Sequence, residues 1–103
     1  GLGNVNNLQW YRQYPGSRPE CLLWILQSSM SVQKQSIATP RHTGRLNEEK
    51  TRVDLMISSV ELEDSALYHC ALQPTSTNKV IFGQGIKLTI NSREKHEPSY
   101  YTS

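Results

Sequence analysis

The side chains that could carry chemistry in this chain are two cysteines, Cys21 and Cys70, and three histidines, His42, His69 and His96. Zinc sites place such residues at short characteristic spacings, such as C-x2–4-C, H-x3–5-H or the helical HExxH. None of these spacings occurs in the sequence, so no metal site is predicted. The even number of cysteines instead raises the question of whether Cys21 and Cys70 form a disulfide.

Other catalytic motifs are incomplete. Residues 83–85 read Gly-Gln-Gly, but Leu88 stands where a GxGxxG phosphate loop has its third glycine, and no helix follows. These glycines predict a β-bulge instead. The sequence contains no GxSxG elbow, so it predicts no enzyme, no cofactor and no small-molecule substrate. The carboxylates of the polar turns are interpreted as a solvated surface: Glu48, Glu49, Glu61, Glu63 and Asp64.

Composition limits the class of protein further. The chain has 103 residues and 11.7 kDa, which is room for one domain. Its 11 Lys+Arg and 9 Asp+Glu are scattered rather than striped, which argues against a nucleic-acid partner. The longest apolar run, residues 22–26, is the size of a strand and far shorter than the ~20 residues of a membrane-spanning helix.

The elements that must position these side chains are short strands. Apolar residues alternate with polar ones, and turn signals recur at short intervals, which is typical of an all-β sandwich or barrel. Residues 60–64 lack this alternation and predict one helical turn, while residues 41–52 form a charged stretch and 73–78 a polar loop. The predicted strands are residues 8–14, 20–27, 32–38, 53–57, 66–71 and 79–91.

One constellation is specific. Residues 64–70 fit Asp-x-Ala-x-Tyr-x-Cys, and a Tyr two residues before a Cys at the start of a strand is the tyrosine corner of immunoglobulin sandwiches. In that corner the hydroxyl of Tyr68 would bond to an upstream backbone group. Trp10 lies about sixty residues earlier, where such sandwiches bury a Trp against the core disulfide. Trp10, Tyr68 and Cys70 together predict an immunoglobulin sandwich.

Further segments resemble the variable domain of a T-cell receptor alpha chain. Residues 10–16 (WYRQYPG) resemble its strand C, and residues 82–85 (FGQG) the joining-segment motif of a rearranged gene. Leu46 and Asn47 together with residues 53–57 match its strands D and E. Residues 97–101 (EPSYY) resemble the opening of a fish alpha constant region. The resemblance implies a variable domain over residues 1–91, followed by a linker and the start of a constant domain over 92–103.

The resemblance implies a recognition function. The expected partners are a T-cell receptor beta chain, peptide presented by an MHC molecule, and the signalling subunits of the full receptor, with no nucleic acid. The expected location is the extracellular portion of a receptor at the plasma membrane. Three alternatives stay open: an antibody light-chain variable domain, a non-rearranging immunoglobulin-type receptor domain and an enzyme, although no nucleophile-base or metal set supports the last.

The resemblance also assigns roles to residues. Those implied in the antigen-binding loops are Val5, Asn6, Asn7, Gln27, Ser28, Ser29, Met30, Gln73, Pro74, Thr75, Ser76, Thr77 and Asn78. Those implied in chain pairing are Tyr11, Gln13, Pro19, Cys21, His69 and Phe82. Those implied in structural roles are Trp10, Arg41, Asp64, Tyr68, Cys70, Gly83 and Gly85. Arg41 would pair with Asp64, with Arg45 as the alternative, and His42 would replace an apolar residue at that corner.

The family disulfide joins strands B and F, and Cys70 occupies the strand F position. Its partner would precede Trp10 by roughly a dozen residues, so the resemblance implies a variable-type β-sandwich lacking strands A and B. Cys21 falls on strand C′ facing the partner chain, so we expect it not to bridge to Cys70. Without strand B, the edge of residues 53–57 is expected to be open, and the chain by itself is expected to be unstable or to aggregate.

Overall fold

A computed structural model describes residues 5–50, 52–75 and 79–90 and the backbone of 99–102. A single 3-10 turn, Leu62–Asp64, lies within the predicted helical turn. The all-β prediction is confirmed. The strands are β1 (Val5–Gln13), β2 (Glu20–Leu26), β3 (Val32–Lys34), β4 (His42–Leu46), β5 (Val53–Ile57), β6 (Ala66–Pro74), β7 (Ile81–Phe82), β8 (Ile86–Leu88) and β9 (Ser99–Thr102).

The strands form two antiparallel sheets. The larger sheet has the order β3-β2-β1-β6, and both β7 and β8 pair with β6 on its far side. The smaller sheet has the order β4-β5-β9. Because β1 pairs with β2 on one side and β6 on the other, it lies at the centre of the larger sheet.

The core lies where the inward faces of the two sheets meet. Trp10 of β1 and Tyr68 of β6 are fully buried there. From the smaller sheet, Val53, Leu55 and Ile57 are also fully buried, as the alternation of that segment predicts. Successive side chains of a strand point to opposite faces, so this alternation needs one covered face and one open face.

Several boundaries differ from the prediction. β1 begins at Val5 and β6 continues to Pro74, because Val5 pairs with Pro74 and Asn7 with Gln73. The segment 42–46, within the charged stretch, forms β4 and pairs with β5. The expected open edge of β5 is wrong: the backbone of β9 pairs along it. The predicted division into domains at residues 91 and 92 stays a prediction.

A buried carboxylate organises one end of the sandwich. Asp64 is 1% exposed and accepts hydrogen bonds from Arg41, Nη1 to Oδ2 at 2.8 Å and Nη2 to Oδ1 at 3.1 Å. Its Oδ2 also accepts from the Glu61 backbone N–H at 2.7 Å. Burial raises the pKa of Asp64, but these hydrogen bonds and the positive charge of Arg41 outweigh burial and hold it below its usual value.

The same residue anchors the tyrosine corner. The hydroxyl of Tyr68 donates to the backbone carbonyl of Asp64 at 2.7 Å, as the motif predicts. Arg41, the preferred candidate, is the partner of the carboxylate, while Arg45 lies on β4 opposite Asp54. Arg41 also donates to the carbonyls of Ser58 and Ser59 at 3.2 Å each, so it ties this turn to the start of β4.

His42 is buried beside this network. Its ring is 1% exposed, and Nδ1 accepts from the backbone N–H of Thr39 at 3.0 Å. The ring is therefore accommodated where the family has an apolar residue, although Nε2 is buried with no partner among the described residues. Burial is the largest cause that lowers the pKa of His42; the positive charges of Arg41, Arg12 and Lys34 add to it, against Asp64.

We predict that Asp64→Asn destabilises the protein by about 3 kcal/mol in urea unfolding, because it leaves Arg41 and the turn without their carboxylate. Asp54→Asn is the matched control. Its partner Arg52 contacts it at 3.2 Å with a side chain 54% exposed, and such pairs contribute only ~0–1 kcal/mol. Equal losses in the two variants would contradict the special role of Asp64.

We also predict that His42 makes the protein acid-sensitive. Its folded pKa lies below the unfolded value near 6.5, so the folded state binds fewer protons, and stability falls as pH drops below 6.5. The Asp64 contribution is lost only at lower pH, below the ordinary aspartate pKa of 3.8. The free energy of unfolding of His42→Phe should therefore change less between pH 7.5 and 5.5 than that of the wild type. If the pH dependence of the free energy of unfolding is the same in His42→Phe as in the wild type, the prediction is refuted. His69→Gln, which replaces a different histidine, is the control.

Candidate functional site

The outward surface of the larger sheet carries most of the predicted pairing residues. Along β1 the side chains of Leu8 and Trp10 are buried, so the odd-numbered positions from Asn7 to Gln13 point away from the core. Their neighbours in register on β6 and β2 share that side of the sheet. We call this surface the outer face and define it by Asn7, Gln9, Tyr11, Gln13, Cys21, Trp24, His69, Ala71, Gln73 and Phe82.

An aromatic cluster lies on the outer face. Phe82 is 50% exposed, and its ring centroid is 4.9 Å from that of Tyr11 with the planes tilted by 57°. His69 meets the same ring edge-on, with centroids 6.2 Å apart. Ile81, next to Phe82, is 54% exposed. Aromatic side chains are enriched at protein interfaces relative to the rest of the surface.

Two glycines bring the strand that carries Phe82 close to β6. The backbone N–H of Gly83 donates to the carbonyl of Cys70 at 2.6 Å, and a Cβ at Gly83 would lie 3.1 Å from that oxygen. A Cβ at Gly85 would lie 2.9 Å from the His69 ring. Residues 83–85 interrupt the strand into β7 and β8, so the glycines act on the backbone as the sequence predicts.

The amide of Gln13 is held within the chain. Its Nε2 donates to the carbonyl of Ser17 at 2.9 Å, and its Oε1 lies 2.9 Å from Nε2 of His69. Because a carboxamide oxygen can only accept, the His69 ring donates at Nε2. A bond from Gln13 across to a partner chain would therefore use the remaining N–H or lone pair of an amide that is already oriented.

A bulge in β2 directs Cys21 onto the outer face. Leu23 pairs with Trp10, but Tyr11 pairs with Cys21, so Leu22 is the extra residue. In a regular strand, Cys21 would point to the same side as Leu23, toward the core. The half-buried Cys21 thiol donates to the carbonyl of Leu23 at 3.6 Å, and burial raises its pKa.

The two cysteines are kept apart, as expected. Cys70 is on β6, opposite Trp10, and points to the core side of the sheet. Since β1 lies between β2 and β6, the cysteines are separated by two strand spacings, or about 10 Å. Cα atoms farther apart than ~7 Å cannot be bridged without backbone movement, and no disulfide joins Cys21 to Cys70.

A line of polar side chains runs along β1 on the outer face. The Tyr11 hydroxyl donates to Oε1 of Gln9 at 2.5 Å, and Nε2 of Gln9 donates to Oδ1 of Asn7 at 2.7 Å. Nδ2 of Asn7 then donates to Oε1 of Gln73 at 2.8 Å. Gln9, only 9% exposed, was not predicted as a site residue. The signal that could have found it is its position between Asn7 and Tyr11 in the period-two alternation.

Three chain segments meet at one end of this sheet. Asn7 is in register with both Leu26 and Gln73, and the backbone N–H of Gln27 donates to the carbonyl of Asn6 at 3.2 Å. We call this the loop end, formed by the start of β1, the turn at residues 27–29 and residues 73–75. Met30, with φ of 57° and 36% exposure, follows that turn.

The structure corrects part of the predicted loops. Val5, Asn6 and Asn7 lie in β1 rather than in a loop, and Val5 is buried, so its side chain belongs to the core. Gln73 and Pro74 lie in β6 because they pair with β1, while the exposed Thr75 follows in a turn. Gln27, Ser28 and Ser29 form a turn between β2 and β3. Ser76, Thr77 and Asn78 lie outside the described residues.

Two further properties concern the described part of the chain only. Within it, no group of three or more His, Cys, Asp and Glu side chains could hold a metal ion. It also contains no helix with the length and apolar character needed to span a membrane. Pro19, the remaining predicted pairing residue, is exposed just before β2.

Comparison with known proteins identifies the class. The model of the immunoglobulin V-set domain family matches residues 3–91. The chain belongs to this family, whose fold is that of immunoglobulin and T-cell receptor variable domains. The sandwich, the tyrosine corner and the buried Trp10 are therefore the parts of a V-set domain.

Curated relatives narrow the comparison. The chain is 42% identical to human T cell receptor alpha variable 7 over 73 residues, 69% of this chain and 57% of that protein. It is 36% identical to the mouse T-cell receptor alpha chain V region 2B4 over 83 residues, 79% and 58% respectively. It is 35% identical to the human immunoglobulin iota chain over 75 residues, 73% and 51%. The chain thus spans somewhat more than half the length of these relatives.

Proposed function

We propose that this chain is the recognition domain of a T-cell receptor alpha chain. In that role the outer face pairs with a beta-chain variable domain, and the loop end binds peptide presented by an MHC molecule. The observation that carries the proposal is the half-exposed Phe82, packed against Tyr11 and followed by the glycines of a joining-type motif. The action is binding rather than catalysis.

The outer face has the composition of a pairing surface. Aromatic side chains are enriched in the buried centres of protein interfaces, and Tyr11, Phe82 and Trp24 supply such surface here. Cys21, at the side of Tyr11, presents a soft, half-buried thiol. The hydrogen-bonded pair of Gln13 and His69 adds a polar group whose geometry is fixed before a partner arrives.

The loop end has the composition of an antigen-contacting surface. Its exposed residues are small and polar, apart from Met30, and such side chains are adaptable hydrogen-bonding groups in paratopes. In the same proposal Ser76, Thr77 and Asn78 extend this surface. The full receptor would lie at the plasma membrane with its signalling subunits, and residues 97–101 would begin a constant domain of the fish alpha type.

A second candidate is an antibody light-chain variable domain. The similarity to an immunoglobulin chain favours it. Arg12 speaks for the alpha-chain assignment, because light chains usually have Gln there. Its guanidinium lies 4.6 Å from the Tyr14 ring centroid and contacts Glu20 at 3.3 Å. A non-rearranging receptor domain is the third possibility, and genomic DNA would show it as one exon through residues 73–82.

We predict that co-expression with T-cell receptor beta-chain variable domains yields a heterodimer, and that Phe82→Ser lowers its recovery at least about tenfold, as for an interface hot spot. Leu62→Ser is the matched control, because Leu62 is 54% exposed and lies in the 3-10 turn away from the outer face. The same assay is repeated with antibody heavy-chain variable domains in place of the beta-chain domains.

Three outcomes decide between the candidates. Recovery of a heterodimer with beta-chain domains but not with heavy-chain domains supports the proposal. Recovery of a heterodimer with heavy-chain domains but not with beta-chain domains replaces the proposal by the light-chain assignment. An equal effect of Phe82→Ser and Leu62→Ser would show that the outer face is not the pairing surface.

A further inference from the structure

We propose that Gln9 is a positioning residue that, through Asn7, orients the carboxamide of Gln73 so that the loop end presents N–H donors to an oxygen acceptor of the ligand, such as a peptide carbonyl. The inference deepens the proposed function and rests on it for the identity of the loop end as the ligand-binding surface. The inference also requires that four hydrogen-bonded side chains act as one unit. We call this unit the array, and its members are Tyr11, Gln9, Asn7 and Gln73.

The array has a direction because each carboxamide has one accepting and one donating end. Tyr11 donates to Gln9, Gln9 to Asn7, and Asn7 to Gln73, at 2.5, 2.7 and 2.8 Å. Turning one amide alone would place two donors or two acceptors against each other. The three amides can therefore only reverse together.

The Tyr11 hydroxyl favours the direction observed. A phenol is a better donor than acceptor, since its oxygen lone pair is delocalised into the ring. The Phe82 ring packs against the Tyr11 ring and holds it in place. Burial, and secondly the charge of an ionised Cys21, raise the pKa of the Tyr11 hydroxyl, so the hydroxyl stays protonated. Gln9 is 9% exposed, so water competes little for its amide.

The consequence appears at the loop end. Because Oε1 of Gln73 accepts the last hydrogen bond, both Nε2 protons are left for contacts outside the array, together with one lone pair of Oε1. Gln73 is partly exposed and directly precedes Pro74 and the exposed Thr75. A ligand atom that meets the Nε2 end of this side chain is therefore matched when it is an acceptor, and a donor at that end would leave two N–H groups facing each other.

Gln9→Glu tests the direction, because a carboxylate can only accept. Oxygens of Glu would accept from Tyr11 and from Nδ2 of Asn7, so Asn7 would turn its Oδ1 to Gln73. Gln73 would then donate to Asn7 and present its oxygen outward. The measurement is side-chain amide hydrogen exchange of the 15N-labelled chain by NMR, before and after the substitution.

In the wild type we expect the Asn7 and Gln9 amides to exchange about fivefold more slowly than that of Gln73, as hydrogen-bonded donors do. In Gln9→Glu the Gln73 amide should become protected by the same factor. Gln33→Glu is the control: Gln33 lies on β3, bonded to Ser31 at 3.1 Å, and should leave Gln73 unchanged. A Gln73 amide that is already protected in the wild type, or is unaffected by Gln9→Glu, overturns the proposal.

Tyr11→Phe keeps the test decisive if Gln9→Glu does not fold. Removing the hydroxyl while keeping the ring against Phe82 should speed exchange of the Gln9 and Asn7 amides. Unchanged exchange would overturn the inference. Pairing is measured separately, so a failed array and a failed proposed function give different results.

Discussion

The pleat of β1 is the constraint on which the rest of the molecule depends. This strand lies between β2 and β6, so its side chains alternate between the core and the outer face of the same sheet. Trp10 is buried in the core, while Tyr11, the next residue, packs against Phe82 at the surface. One residue step thus separates the core from the outer face, and a shift of register would exchange the two.

Local departures from regular strand geometry give the outer face its particular residues. The extra residue Leu22 turns Cys21 outward and lets two neighbouring leucines be buried. Gly83 and Gly85 allow the last strand segments to approach β6 more closely than a Cβ would permit. Both devices act on the backbone, and both change which side chains a partner would meet.

Polar groups fix the opposite end of the sandwich. The carboxylate of Asp64 joins Arg41 to the turn that precedes β6. The backbone carbonyl of Asp64 accepts the hydrogen bond of the Tyr68 hydroxyl. These partners satisfy a charge that would otherwise be costly to bury. Burial disfavours the charged form of His42 beside them, which lowers its pKa. The outer face is also polar at its centre, but there the hydrogen bonds lead toward the loop end.

The sequence by itself determined the features that depend on local pattern. Alternation predicted the buried side of β5, the absence of alternation predicted the turn at Leu62–Asp64, and the Asp-x-Ala-x-Tyr-x-Cys motif predicted the tyrosine corner. Only the tertiary structure decided that Val5 is buried, that β9 covers β5, and that Gln9 connects Tyr11 to Gln73. The physical reason is that side-chain alternation is set within a few residues, whereas register and hydrogen-bond partners are set by strands distant in the chain.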